Sequence, residues 1–143
     1  MKLKIKRFDK TLPLPEYKTA GAAAFDLVAR ETVTIEPQTV GMVPMNIAIA
    51  LPPDHWALVA ARSSLHKRGV MMANGIGVGD SDFAGDNDEY RAALLNFTSQ
   101  VVTIERGERI AQMIILPREK VELIEVGKLG NPDRGGFGST GRK

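Results

Sequence analysis

Cysteine is absent, which excludes disulfides, zinc–thiolate sites and thiol catalysis. Histidine is nearly so: His55 and His66 are too few for a His-rich metal site. No apolar run approaches the length of a membrane span. Residues 1–8 alternate lysine with apolar side chains, where a secretory leader needs an apolar core. A dominant charge of one sign is also missing. The formal net charge is +2, with 19 Lys and Arg against 17 Asp and Glu, so the pI near 9.0 carries little weight. A dedicated nucleic-acid binder concentrates basic side chains on one face, and this balance argues against one. The expectation is a soluble, cytoplasmic protein with no nucleic-acid or membrane partner. What remains is ordinary: 143 residues, 43% hydrophobic and 25% charged. That length suits one compact domain able to bury a core without staples.

Short apolar runs dominate the chain. Leu3 and Ile5 alternate with Lys2, Lys4 and Lys6, the pattern of an amphipathic strand. Met45, Ile47, Ile49 and Leu51 alternate with Asn46, Ala48 and Ala50 until Pro52 and Pro53 stop the run. Further runs cover 56–60, 101–104, 110–116 and 121–126. Pro37, Gly41, Asn74-Gly75, Gly85, Arg106-Gly107 and Gly127 punctuate them. Closely spaced short strands indicate an all-β sandwich, jelly roll or barrel. Only residues 63–68 look helical. There is no internal repeat and no interdomain linker. Residues 127–143 are glycine-rich, with only Leu129 and Phe137 as core formers; by composition alone such an end reads as a mobile tail.

Four segments carry chemistry. In residues 74–90, Gly75, Gly77 and Gly79 alternate with Ile76 and Val78. A strand with glycine at every second position has one bare face, which another backbone or a flat ligand can approach. Asp80 and Asp82 follow, and a carboxylate beside such a strand could act as a general base; a solvated acidic loop has the same composition. An EF-hand is rejected: Ala84 and Arg91 stand at ligand positions. The second segment, Arg62-Ser63-Ser64-Leu65, offers a guanidinium and hydroxyls suited to phosphate, or equally a helix cap. In the third, Gln112 falls inside an apolar strand. The fourth runs from Arg134 to Gly141. Its glycines expose backbone N–H groups, Ser139 and Thr140 add hydroxyls, and Phe137 could stack on a base. A P-loop is excluded, because no Gly-Lys-Ser/Thr occurs there.

Taken in order, these segments resemble the five motifs of the trimeric dUTPase family. The first motif corresponds to residues 19–29, ending in Phe25-Asp26-Leu27-Val28-Ala29. The others correspond to 62–65, 74–85, 107–117 and 135–141. The resemblance spans nearly the whole chain; Asp80-Ser81-Asp82-Phe83 and the last motif are its most specific parts. It implies an all-β, jelly-roll-like or β-clip domain over 1–126, with one short helix. It implies a glycine-rich arm over 127–143 that closes a neighbouring active site in a homotrimer. The implied reaction is hydrolysis of dUTP to dUMP and pyrophosphate with Mg²⁺. Asp80 would activate the water. Asn74, Gly77 and Val78 would read uracil, and Phe83 would pack on the deoxyribose. Arg62, Ser63, Ser64 and Gln112 would hold phosphates, and Asp26 would meet Mg²⁺ through water. From the arm, Arg134, Phe137, Gly138, Ser139 and Thr140 would complete the site.

Several positions depart from the family pattern. Ala24 stands for a glycine, Gly79 for an isoleucine, Phe83 for the more frequent tyrosine and Ala84 for a basic or polar residue. Asp86-Asn87-Asp88-Glu89 is longer and more acidic than usual, and Arg134 lies close to Phe137. Two other readings compete. A dCTP deaminase shares the Arg-Ser-Ser-Leu segment, but it uses a glutamate base and lacks the Gly-Phe-Gly-Ser-Thr arm. A non-catalytic nucleotide sensor would be favoured by loss of Asp80 or of the arm, and both are present.

Overall fold

Prolines, glycines and β-branched runs cut this chain into strands of three to nine residues. The computed structural model describes residues 1–137 and 139. Among them are eleven strands, all paired antiparallel, and no two paired strands are consecutive in sequence, so each pair is joined through other elements. The strands are β1 (Lys4–Arg7), β2 (Phe25–Val28), β3 (Val33–Ile35), β4 (Val40–Pro44), β5 (Ile47–Ala50), β6 (His55–Ala61), β7 (Val70–Met72), β8 (Gly77–Gly79), β9 (Arg91–Asn96), β10 (Val102–Ile104) and β11 (Arg109–Pro117). The largest sheet runs β2-β11-β6-β8 and the next β4-β9-β7; β1 pairs with β5, and β10 with β3. The all-β expectation therefore holds. No helix among the described residues is long and apolar enough to cross a membrane.

Leu27, Ile35, Met45, Ile47, Leu94, Ile104, Ile110 and Met113 are almost wholly buried and form the centre of one core. Two asparagines are buried with them, and each is satisfied. Asn96 donates to the carbonyls of Ile35 (2.9 Å) and Gln100 (2.7 Å) and accepts from the Thr98 N–H (2.9 Å). Asn46 donates to the Asp9 carbonyl (3.0 Å) and accepts from the Asp9 N–H (2.7 Å). Its φ of 66° is one that asparagine tolerates better than most residues.

Three sequence expectations need correction. The alternation at 45–51 does not give one inward and one outward face: Asn46 and Ala48 are buried beside Met45, Ile47 and Ile49. Small alanines and a satisfied amide let both faces be covered. The helical stretch shortens to a single 3-10 turn, Leu65–Arg68, ended by Gly69 at φ 78°. A side chain at Gly69 would meet Thr98 Cγ2 at 2.6 Å, so glycine is required there twice over. Finally, residues 121–126 form no strand, and Val121, Leu123, Ile124 and Val126 are exposed. The apolar run finds no partner edge among the described residues.

Candidate active site

The sequence-predicted residues gather in two places. The first lies where β2, β11 and β6 meet. Register aligns Asp26 with Gln112 and Gln112 with Ala60 across three strands. Arg62 continues β6 and donates from Nε to Asp26 Oδ1 at 3.1 Å. Arg109 donates from Nη1 to Asp26 Oδ2 at 3.0 Å. Arg62 Nη1 also reaches the Arg109 carbonyl at 3.3 Å. Gln112 points along the sheet and donates to the Ala61 carbonyl at 2.9 Å. Ser63 and Ser64 follow, both exposed. Ser64 holds the N-cap position of the 3-10 turn but makes no capping hydrogen bond, so the helix-cap alternative for its hydroxyl is not realised.

The second place is an open cleft of 480 Å³ lined by Gly77, Val78, Gly79, Asp80, Phe83 and Tyr90 among others. Asp80 follows β8 directly and is exposed. The glycine face of β8 is covered from within the chain. A Cβ on Gly77 would lie 3.2 Å from Val59 Cβ, and one on Gly79 would lie 2.3 Å from Tyr90 Oη. Asn74 sits in the exposed turn between β7 and β8 and turns its amide back to the Ile76 carbonyl at 2.9 Å.

Tyr90 was not singled out by the sequence. Its signal was indirect: a glycine at 79 where the family carries isoleucine leaves room for a large neighbour. The Tyr90 ring meets Phe83 edge to face, with centroids 5.3 Å apart. Its hydroxyl is buried without a hydrogen-bond partner among the described residues. Such an orphan costs about 1–3 kcal/mol. Burial, and then the charge of Asp80, push the phenol above its ordinary range.

Glu89 fixes the acidic stretch beside this cleft. Its side chain is only 4% exposed. It accepts from Arg30 Nε at 2.8 Å, from Arg30 Nη2 at 3.1 Å and from the Asn46 N–H at 2.9 Å. A bidentate pair with a third donor satisfies the carboxylate. The run 86–89 is therefore an anchored wall, and one of its acids is structural.

The two places lie at opposite ends of β6. Ala57 pairs with Gly79, which brings Asp80 level with Trp56, while Arg62 follows the far end of the strand. Six residues of strand span roughly 20 Å. In the arm, Arg134 and Phe137 are exposed, Phe137 fully so, and the Ser139 N–H donates to the Gly136 carbonyl at 3.0 Å. Gly138 and Thr140 lie outside the described residues.

Comparison with known proteins decides the family. The dUTPase family model matches residues 10–141. The chain belongs to the dUTPase family. A deoxyuridine 5′-triphosphate nucleotidohydrolase of a Hydrogenobaculum species is 43% identical over 147 residues, covering 100% of both chains. One from an Anaeromyxobacter species is 46% identical over 134 residues, covering 92% of this chain and 89% of its own. The crystal structure of dUTPase from Streptococcus mutans superposes with a TM-score of 0.76 at 27% identity, covering 82% of this chain and 98% of that one.

Removing Glu89 strands Arg30 and the Asn46 N–H. Glu89→Ala is expected to lose about 2–3 kcal/mol, after allowance for the partly exposed Arg30. Urea unfolding at fixed protein concentration measures it. A variant as stable as the parent would mean that packing alone holds this wall.

Proposed function

We propose that this chain is a dUTP diphosphatase, hydrolysing dUTP to dUMP and pyrophosphate. Membership of the dUTPase family supports the reading. The observation that carries it is Asp80, an exposed carboxylate that follows the glycine strand β8 at the wall of the 480 Å³ cleft. In this reading Asp80 takes a proton from water as the water oxygen bonds to the α-phosphorus. The bond from that phosphorus to the bridging oxygen breaks, and pyrophosphate leaves with the electron pair. Backbone groups around Gly77 and Val78, with Asn74, read uracil. The exposed face of Phe83 packs on the deoxyribose. Arg62, Ser63, Ser64 and Gln112 take phosphate oxygens, where a guanidinium opposes the charge that builds during attack. Arg134, Phe137, Gly138, Ser139 and Thr140 close the site from the arm.

A divalent ion fits this donor set only in company. No group of three or more His, Asp or Glu able to hold a metal occurs among the described residues. Asp26 is already engaged by two guanidiniums. Asp26 is thus suited to touch, through water, a Mg²⁺ that the triphosphate itself carries, as magnesium with its retained hydration shell prefers. When bound, Mg²⁺ would offset charge on the phosphate oxygens.

A homotrimer with shared sites completes the reading, with the core over 1–126 and the arm over 127–143. The roughly 20 Å between the Asp80 and Arg62 ends of β6 supports it, because the oxygens of one triphosphate span far less. On the β4-β9-β7 sheet, Val40 and Met71 are exposed and flank the half-buried Leu95 in register, an apolar row left partly uncovered in the single chain. The exposed apolar residues of 121–126 add to it.

Three outcomes follow. Asp80→Asn should bind dUTP and lose about 10²–10⁴-fold in turnover, read as pyrophosphate release with dCTP, dTTP and UTP in parallel. Unchanged turnover would remove Asp80 from the mechanism, and ammonia release from dCTP would move the chain to the deaminases. Arg62→Ala and Asp80→Asn should each be inactive alone, yet regain about a quarter of parental activity when co-refolded, since random assembly pairs intact halves across copies. No recovery, or a monomer mass by light scattering, contradicts shared sites. Deleting residues 135–143 should leave a folded oligomer with little activity; a fully active truncation would dismiss the arm.

A further inference from the structure

We propose that Tyr90 is a positioning residue that sets the sugar selectivity of the cleft, holding the Phe83 ring through the space that Gly79 leaves free. The inference rests on the reading of Phe83 as the sugar-facing wall.

The geometry makes Gly79 and Tyr90 one unit. A Cβ at position 79 would lie 2.3 Å from Tyr90 Oη, 2.8 Å from Cε1 and 2.9 Å from Cζ. Any side chain there and the phenol exclude each other. Tyr90 is itself fixed to the core on both sides of its peptide. Its N–H donates to the Ile47 carbonyl at 2.9 Å, and its carbonyl accepts from the Met45 N–H at 2.9 Å. Glu89, the residue before it, is held by Arg30 and Asn46. Phe83 has no such support. It lies in the stretch between β8 and β9, where its N–H makes one turn bond to the Asp80 carbonyl at 3.2 Å. Among the described residues, the aromatic contact of its ring is the 90° edge-to-face meeting with Tyr90 at 5.3 Å. A rigid ring beneath the strand thus locates a ring on a loop, and Asp80 lies in the same turn. The phenol stays neutral there, since burial and the Asp80 charge both oppose its ionisation. An aliphatic residue at 79 would fill the same space but present no ring.

The test compares kcat/KM for dUTP with that for UTP, alongside thermal unfolding. Tyr90→Leu is expected to lower the dUTP/UTP ratio about tenfold, the scale of one lost aromatic contact together with the looser ring. The double variant Gly79→Ile with Tyr90→Leu refills the space beneath the strand without restoring the ring, and its ratio should stay low even where unfolding temperature recovers. Tyr90→Phe keeps the ring and should hold the ratio within about threefold of the parent. The inference is overturned by an unchanged ratio in Tyr90→Leu, by full recovery in the double variant, or by loss of the ratio in Tyr90→Phe. Failure of both leucine variants to fold would make Tyr90 a core residue only, and would overturn it too. A parent enzyme that releases no pyrophosphate from dUTP sinks the functional reading instead, a result separate from any change in the ratio.

Discussion

Strand β6 is the member on which the rest of the site depends. It is hydrogen-bonded to β11 along one edge and to β8 along the other. Seven residues align with β11 and three with β8, so its register sets the levels of Gln112, Gly77 and Val78 and of Asp80, which follows β8. A slip by one residue would turn Ala57 and Val59 outward and carry Asp80 and Gln112 to the wrong level. The register also fixes a separation. Because β8 runs against β6, the proposed base leaves the sheet at one end while Arg62 leaves at the other. A site needing both groups is built from more than one copy. Oligomer formation is then a condition of the chemistry, on the reading proposed, and is not an addition to a finished enzyme.

Much of this was legible in the sequence, for identifiable reasons. Turn residues and short β-branched runs gave the strands, because proline and glycine act locally and need no knowledge of partners. Residues 121–126 misled for the same cause: their pattern is that of a strand, but a strand exists only where an edge accepts it, and pairing is not local. The alternation at 45–51 failed because period 2 reports a half-buried sheet, whereas residues 45–49 are covered on both faces and Asn46, just before β5, is hidden by hydrogen bonding to Asp9. The bare glycine face was expected to admit another backbone or a flat ligand, and side chains of the chain itself fill it instead. What approaches is Val59 and Tyr90 of the same chain, a fact held in register and in no single motif.

Gly79 and the acidic run 86–89, two of the positions at which the resemblance is imperfect, meet at one residue. Gly79, taken alone, is a loss of wall. The long acidic run 86–89, taken alone, is an unexplained surplus of charge. Together they bring Tyr90 under the strand and clamp it there, since Glu89 carries the anchor and Gly79 supplies the room. Close packing demands such a pairing, because volume absent at one position is supplied from another.

Charge in the phosphate-facing cluster follows the same logic. Arg62 and Arg109 approach each other closely enough for one to reach the carbonyl of the other. Their two guanidiniums share one carboxylate, so they repel, and Asp26 supplies the compensating charge, one oxygen to each. The carboxylate therefore organises cations before it meets any metal. A free divalent ion approaching Asp26 encounters two positive groups first, which disfavours binding to the bare protein. On the proposed reading, a triphosphate would reverse the balance. Its oxygens would take Arg62, and Asp26, with one guanidinium drawn away, would be free to meet through water the cation that the phosphates carry. Substrate and metal would then be coupled through one aspartate, by the order in which charges can be satisfied.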